Sequence, residues 1–579
     1  MPGLHDTIAQ RLQQAFDTVE PGADPVLRPS TRPGVDFQAN GAIALARRLG
    51  TTPAEVASKV VAAAQLEGIC AAVTAAPQGF VNLTLDDAFL ARRVEEQAGD
   101  GRLGVRPAGG PLRVVVDYAS PNVAKEMHAG HLRSAIIGDC LCRTLAFAGH
   151  SVRRENHIGD WGTPFGMLIE HLVDLGEEQA AHELSVGDLD AFYRQARAGF
   201  DASPEMQERS RRRVVLLQSG DAETLRLWRV LVDASLAYFD EVNAKLGLLL
   251  TRADIVGESH FNPLLPDVVR ALDSAGLLVD SEGARCVFPP GFTNREGEPL
   301  PLIVQKSDEG YGYAATDLAA LRERFGTLGL DLALYVVGAP QAQHLEMCFA
   351  VAAEAGWIPP GKRAVHVPFG SVLGADRKML RSRSGASVKL VDLLDESVAR
   401  AAAIVAEKNP SLDPAESAGV ARMVGIGAVK YADLSTDRVR DYVFDWDRML
   451  SFDGNTAPYV QYARVRCLSI FRRGEIDPAP YASGRVPVVL GEGAERALAV
   501  SLLGFAPAVA GVLDTWSPHR LCSYLFELAG VFTTFFETCP VLKAAIPAVR
   551  DSRLVLCALT AAVLGRGLDL LGIEAPERM

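Results

Sequence analysis

His128 and His131 stand three residues apart in "EMHAGHLRS", with Gly130 between them, directly after the valine-rich run "LRVVVDYA". A β-branched apolar run of that length reads as a strand, and Leu132, Ala135, Ile136 and Cys140 then recur at helical spacing until Gly149 can cap the helix. Both imidazoles therefore fall at a strand-to-helix turn. In a parallel sheet such a turn lies at the carboxyl edge, where ligands bind and where a helix N-terminus attracts anions. Gly130 lets a ligand come close to the backbone. Imidazoles at this place could donate hydrogen bonds to phosphate oxygens as charge builds on them. Two other uses stay open: a zinc site, although the HExxH spacing is absent, and satisfied structural histidines.

A second constellation, "DRKMLRSRSG" at 376–385, follows the strand-like "HVPFGSVLG" and mixes four cations with small residues. Such a run is usually a solvated helix face, but a flexible basic loop of this kind could close over a triphosphate.

Three regions must position these groups. Residues 1–108 combine helical periodicity ("AIALARRLG", "EVASKVVAAAQLEG") with the strand-like "GFVNLTL", and end in the Gly/Pro-rich "GDGRLGVRPAGGP". Residues 109–415 alternate β-rich runs ("LRVVVDY", "DLALYVVG", "RAVHVPFG") with helical segments, the pattern of a parallel sheet with crossover helices. Residues 416–579 read as a helical bundle. A length of 579 residues suits such a division.

Composition excludes several classes. With 48% hydrophobic and 22% charged residues the chain reads as a soluble globular protein. No stretch is expected to reach the roughly 20 apolar residues that span a bilayer. "MPGLHDTIAQ" shows no basic-then-apolar start, so a cytoplasmic location is expected. Nine scattered cysteines read as buried thiols. A net charge of −13 argues against non-specific nucleic-acid coating, and "RSRRR" at 209–213 reads as a solvated helix face.

An HAGH turn followed about 250 residues later by KMLRS resembles the paired signatures of class I aminoacyl-tRNA synthetases. "SPNVAKEMHAGHLRSAIIGD", "HIGDWGT", "KSDEGYGYAATDLAA", "GIGAVKYADLS", "FDWDRMLSFDGNTAPYVQYA", "CPVL" and "LLGIEAPERM" narrow the resemblance to arginyl-tRNA synthetase over nearly the whole chain. It implies an α/β fold: a Rossmann-type catalytic core, an N-terminal α+β domain touching the tRNA elbow, and a C-terminal helical anticodon-binding bundle. The implied reaction joins L-arginine to ATP and passes the arginyl group to tRNA(Arg). On this pattern His128, His131, Lys378 and Arg381 are catalytic, and Gly130 and Met379 join the histidines and Lys378 at ATP. A guanidinium stays protonated and presents a planar fork of donors, so its site needs carboxylates. The resemblance gives Asp117, Asp317 and Tyr313 that task, the last two four apart on one helix face. Ser120, Asn122 and Gln341 complete the arginine site. Tyr459, Tyr462 and Arg466 offer a stacking and phosphate surface for tRNA. Magnesium is expected with ATP and no dedicated protein metal site is visible; the chain is expected to be a monomer with no membrane partner.

Some positions depart from the family pattern. Pro164 replaces a glutamine after "GDWGT", Gly338 and Pro340 replace an acid and an arginine in "VVGAPQAQHL", and Arg381 stands where class I enzymes commonly have lysine. These departures leave open a duplicated synthetase serving a specialised pathway or inhibitor resistance, or a catalytically inactive tRNA-binding paralogue.

Overall fold

The computed structural model describes residues 3–176, 179–180, 189–307, 309–380 and 388–579. The N-terminal region is an antiparallel sheet of β1 (Leu27–Pro29), β2 (Phe37–Ala39), β3 (Cys70–Ala75) and β4 (Val81–Leu85), in the order β1-β2-β4-β3. Its first helix, Leu4–Asp17, buries Leu4, Ile8, Leu12, Ala15 and Phe16, an apolar stripe at three- and four-residue spacing.

The central sheet is parallel, with β11 (Arg363–His366), β10 (Leu332–Tyr335), β5 (Arg113–Asp117) and β6 (Ser151–Glu155) side by side in that order. Val114, Val115 and Val116 are fully buried because helices cover both faces. Helix Ala129–Phe147 crosses from β5 to β6. The chain then leaves for an insertion of helices Pro164–Leu175, Leu189–Ala202, Pro204–Gln218 and Ala222–Leu246, followed by the antiparallel β7 (Val279–Ser281), β8 (Ala284–Val287) and β9 (Leu302–Gln305). When it returns as β10 it pairs on the other side of β5 from β6. Strand order therefore reverses between β5 and β10, and the crevice outside their carboxyl ends is where such sheets bind ligands.

Beyond residue 413 the elements are nearly all helical, and helix Pro547–Leu570 is buried on most of its circumference. Strand β13 (Tyr442–Val443) pairs with β12 (Val372–Leu373), so the catalytic region keeps strand contacts past residue 415. Segment Gly493–Thr515 corrects the expectation that nothing is apolar and long enough to cross a membrane: it is 23 residues long and holds an 18-residue window with a mean hydropathy of 1.8. The chain breaks it at Gly504 into two helices, and Leu498, Leu502, Phe505, Val509 and Val512 face the bundle core. The basic run 209–213 lies on a helix as expected, but Arg209 and Arg213 reach across to Glu170.

Ion pairs join the regions. Arg496 of the bundle pairs with Asp36 and Asp87 of the N-terminal domain. Buried Arg133, on the helix after the HAGH turn, donates through Nε to Asp433 at 3.0 Å and through Nη1 to the Arg440 carbonyl at 2.9 Å. Burial pushes the Asp433 carboxyl upward against the pull of Arg133. Removing one partner leaves a buried charge alone, so Asp433→Ala is expected to cost about 3–5 kcal/mol in urea unfolding of the core, and Arg133→Met with Asp433→Leu should recover most of it.

Candidate active site

His128 is the N-cap of helix Ala129–Phe147, with extended backbone at φ −109° and ψ 171°. Its Nδ1 accepts the Gly130 N–H at 3.1 Å, and His131 Nδ1 accepts the His128 N–H at 3.1 Å. The histidines thus form a reciprocal capping box. Each ring offers Nδ1 to a backbone donor, so each neutral ring carries its proton on Nε2. Burial pushes His131 down to about 4, and the neighbouring His128 adds to that lowering. Desolvation also lowers His128; Asp190 opposes it and Lys125 reinforces it. The rings lie 4.0 Å apart between centroids. The pair is therefore two neutral N–H donors at the positive end of a 19-residue helix.

The segment leading into the turn is strained. Ala119, Ser120 and Ala124 have φ of 70°, 46° and 59°, each costing about 1–3 kcal/mol. Side chains from three directions hold it: Ser134 Oγ accepts the Ala119 N–H, Asn156 Oδ1 the Ser120 N–H, and Ser235 Oγ the Ala124 N–H. Beside the turn is a cavity of about 200 Å³, lined among others by Asn122, Lys125, Glu126, His128, His131, Asp190 and Lys389. Sequence reasoning named only Asn122 and the histidines there. The other four carry no spacing signal, and folding brings them together.

Lys378 and Met379 are exposed, on a turn closed by the Gly374 N–H donating to the Lys378 carbonyl at 2.8 Å. Arg381 lies outside the described residues. Where the chain is next described it is anchored on the first motif: the Ala129 N–H donates to the Val388 carbonyl, and the Leu390 N–H to the Met127 carbonyl. Lys389 pairs with buried Glu126 at 2.9 Å. The segment that follows the basic run, 388–390, therefore shares an edge with the HAGH turn.

On the amino-acid side Asp117 is buried and already partnered. Its Oδ2 is 2.7 Å from Arg324 Nη2, and Ser120 Oγ donates to its Oδ1 at 3.1 Å. Fully buried Arg324 also pairs with Glu155 at 2.6 Å and lies over the Tyr335 ring, so it ties together the ends of β5, β6 and β10. Ser120 is held by the same network. Asp317 is half-buried on helix Tyr313–Arg322, one turn from Tyr313, which is 76% exposed. Gln341 is exposed at the N-cap of helix Ala342–Glu354.

The residue that sequence reasoning missed here is Glu258. Burial, then the charges of Asp160 and Asp317, push its carboxyl up to about 7. Asp160 accepts both the N–H and the hydroxyl of Ser259, and burial raises its carboxyl too. The charges of Asp160 and Asp317 thus both reach Glu258, which groups three partly buried acids on this side.

The two prolines that depart from the pattern sit where a helix tolerates them. Pro164 is in the first turn of Pro164–Leu175 and Pro340 in the first turn of the 3-10 segment Ala339–Gln341, positions whose N–H has no partner inside the helix. On the bundle, Tyr462 is 42% exposed and Arg466 lies over Phe536 at 4.2 Å and Tyr462 at 5.8 Å. Tyr459, half-buried one turn earlier on the same helix, packs on Phe526 at 5.5 Å.

A parallel sheet with a two-histidine turn after its first strand, and with the segment that follows a KMLRS run anchored on that turn, defines a class I aminoacyl-tRNA synthetase. The family described as "tRNA synthetases class I (R), catalytic domain" matches residues 101–446, the DALR anticodon binding domain residues 460–579, and the arginyl tRNA synthetase N terminal domain residues 3–85. The chain belongs to the arginyl-tRNA synthetase family. It is 52% identical over 99% of both chains to the arginine–tRNA ligase of Thermobifida fusca, and 47% identical over 99% of both to that of Escherichia coli K12. The crystal structure of arginyl-tRNA synthetase from Plasmodium falciparum superposes with a TM-score of 0.86 at 28% identity, covering 100% of both chains.

Proposed function

We propose that the chain carries out both steps of arginine–tRNA ligation at the carboxyl edge of β5 and β10. An arginine carboxylate oxygen attacks the α-phosphorus of ATP, the bond to the bridging oxygen breaks, and pyrophosphate leaves. A hydroxyl of the terminal ribose of tRNA(Arg) then attacks the arginyl carbonyl, and AMP leaves. His128 and His131 donate through Nε2 to phosphate oxygens as they gain charge, with Gly130 allowing close approach. Lys378 and Met379 meet ATP from the basic loop, and Lys125 adds a cation at the cavity. Asp317 and Glu258 take the guanidinium, while Asn122, Tyr313 and Gln341 frame the rest of the amino acid. No covalent enzyme nucleophile is required, since positioning and charge stabilisation carry the transfer.

Magnesium accompanies ATP through the phosphates' own oxygens and water. The cavity carboxylates are engaged, Glu126 with Lys389 and Asp190 with the Glu126 N–H. Asp317, His344 and Cys348 bring three potential ligand atoms within 4.8 Å of one another, but nitrogen and sulfur donors do not suit this hard cation.

In this reading residues 1–108 meet the tRNA elbow, 109–415 form the catalytic unit, and 416–579 meet the anticodon, in a cytoplasmic monomer without a membrane partner. Tyr462 and Arg466 offer the bundle's stacking surface. Tyr462→Ala with Arg466→Ala is expected to raise the KM for tRNA about tenfold in aminoacylation, with arginine-dependent pyrophosphate exchange unchanged.

The single observation that carries the function is the paired neutral donors of the HAGH turn beside the segment 388–390 that follows the basic run. Nothing in the comparisons favours a specialised copy or an inactive paralogue. The test is aminoacylation of total tRNA with each standard amino acid: arginine alone should become attached. Attachment of another amino acid, or of none, would overturn the reading.

A further inference from the structure

His344 stands in the first turn of helix Ala342–Glu354, just after the exit from β10. Its Nε2 is 2.6 Å from Asp317 Oδ2, and Cys348 Sγ, one turn further, is 3.7 Å from the same nitrogen. Among the described residues no other side-chain hydrogen bond to the Asp317 carboxylate is found, so Oδ1 has no such partner. The contact bridges helices Tyr313–Arg322 and Ala342–Glu354, which follow different strands.

We propose that His344 is a positioning residue for arginine recognition, donating Nε2–H to Asp317 Oδ2 and so fixing the carboxylate with Oδ1 left to accept from the guanidinium. This rests on the reading that Asp317 binds the guanidinium. A planar fork of donors rewards an acceptor already held in one rotation, because the ordering cost is then met before the substrate arrives. Charge adds a second role. Asp317 acts on Glu258, which also feels Asp160, so Glu258 is repelled from both sides before a substrate cation arrives. An imidazolium at His344 offsets part of that repulsion, and its bond to Asp317 holds it above the ordinary histidine range against burial. The Cys348 thiol, pushed well up by burial and then by Asp317, stays protonated and contributes no charge.

The test is arginine-dependent ATP–pyrophosphate exchange by the full chain with tRNA present, comparing wild type, His344→Ala, His344→Gln and Asp317→Asn. His344→Ala is expected to raise the arginine KM about 10- to 100-fold, leaving kcat and the ATP KM within about threefold. Glutamine keeps a donor near the position of Nε2, so His344→Gln should recover most of the loss. If alanine unfolds the domain, His344→Asn takes its place: its amide matches Nδ1 and not Nε2, so it should show the same rise in arginine KM. An arginine KM within about twofold of wild type in these variants, with Asp317→Asn strongly impaired, would overturn the positioning role. Equal losses in kcat, ATP KM and arginine KM would do the same, since they mark a structural defect. If Asp317→Asn is itself silent, the guanidinium reading has failed and the inference falls with it, an outcome distinct from the first two.

Discussion

Replacing His131 with asparagine is expected to slow arginyl-adenylate formation about 100- to 1000-fold, with the KM values for ATP and arginine little changed. The expectation follows from the capping box. His131 Nδ1 is committed to the His128 N–H, so only Nε2 can donate to a phosphate. Asparagine matches the Nδ1 position and has nothing where Nε2 lies. Glutamine is the informative partner variant: at the third helical position its carbonyl can accept the His128 N–H while its amide donates onward. His131→Gln should therefore retain roughly a tenth or more of wild-type kcat. Because His131 is held down to about 4, raising pH from 6 to 9 should not titrate it, and kcat should show no step from this group. Pre-steady-state adenylate formation measures both, and equal losses in the asparagine and glutamine variants would contradict the assignment of Nε2.

The second large effect is expected on the amino-acid side. Glu258→Gln or Asp317→Asn should raise the arginine KM by about 2 to 5 kcal/mol of lost binding, roughly 30- to 4000-fold, with ATP binding intact. Glu258 also fixes the sign of a pH effect. Its carboxyl is pushed up to about 7, so below that pH it carries a proton that must leave before it can receive a cation. Arginine KM should therefore fall as pH rises from 6 to 8 and level off above. Glu258→Gln should flatten most of this profile, and an arginine KM that rises with pH would contradict the role of Glu258.

What the sequence made legible was local. The HAGH turn could be placed because a β-branched run, a glycine and an apolar 3.6-residue period lie within 40 residues. Tyr313 and Asp317 share a helix face because four residues make about one turn. What the sequence hid were partners brought in by the fold. The partner of Asp117, Arg324, lies 207 residues away and leaves no local signal. Glu258 is a lone acid in "GESHF", and only the approach of Asp160 and Asp317 distinguishes it. Strand β6, "SVRRE", was not visible as a strand: it lies at the sheet edge with one apolar residue and three consecutive charged ones, and Glu155 is buried on Arg324. Gly493–Thr515 shows the limit of composition, since a bend at Gly504 turns one apolar stretch into two core helices.

One measurement tests the central claim most directly: ATP–pyrophosphate exchange with each standard amino acid, with and without tRNA. The account predicts exchange with arginine and with no other amino acid, abolished or nearly so in the His131→Asn variant. Exchange supported by a different amino acid, or none with arginine under either condition while tRNA still binds, would contradict it.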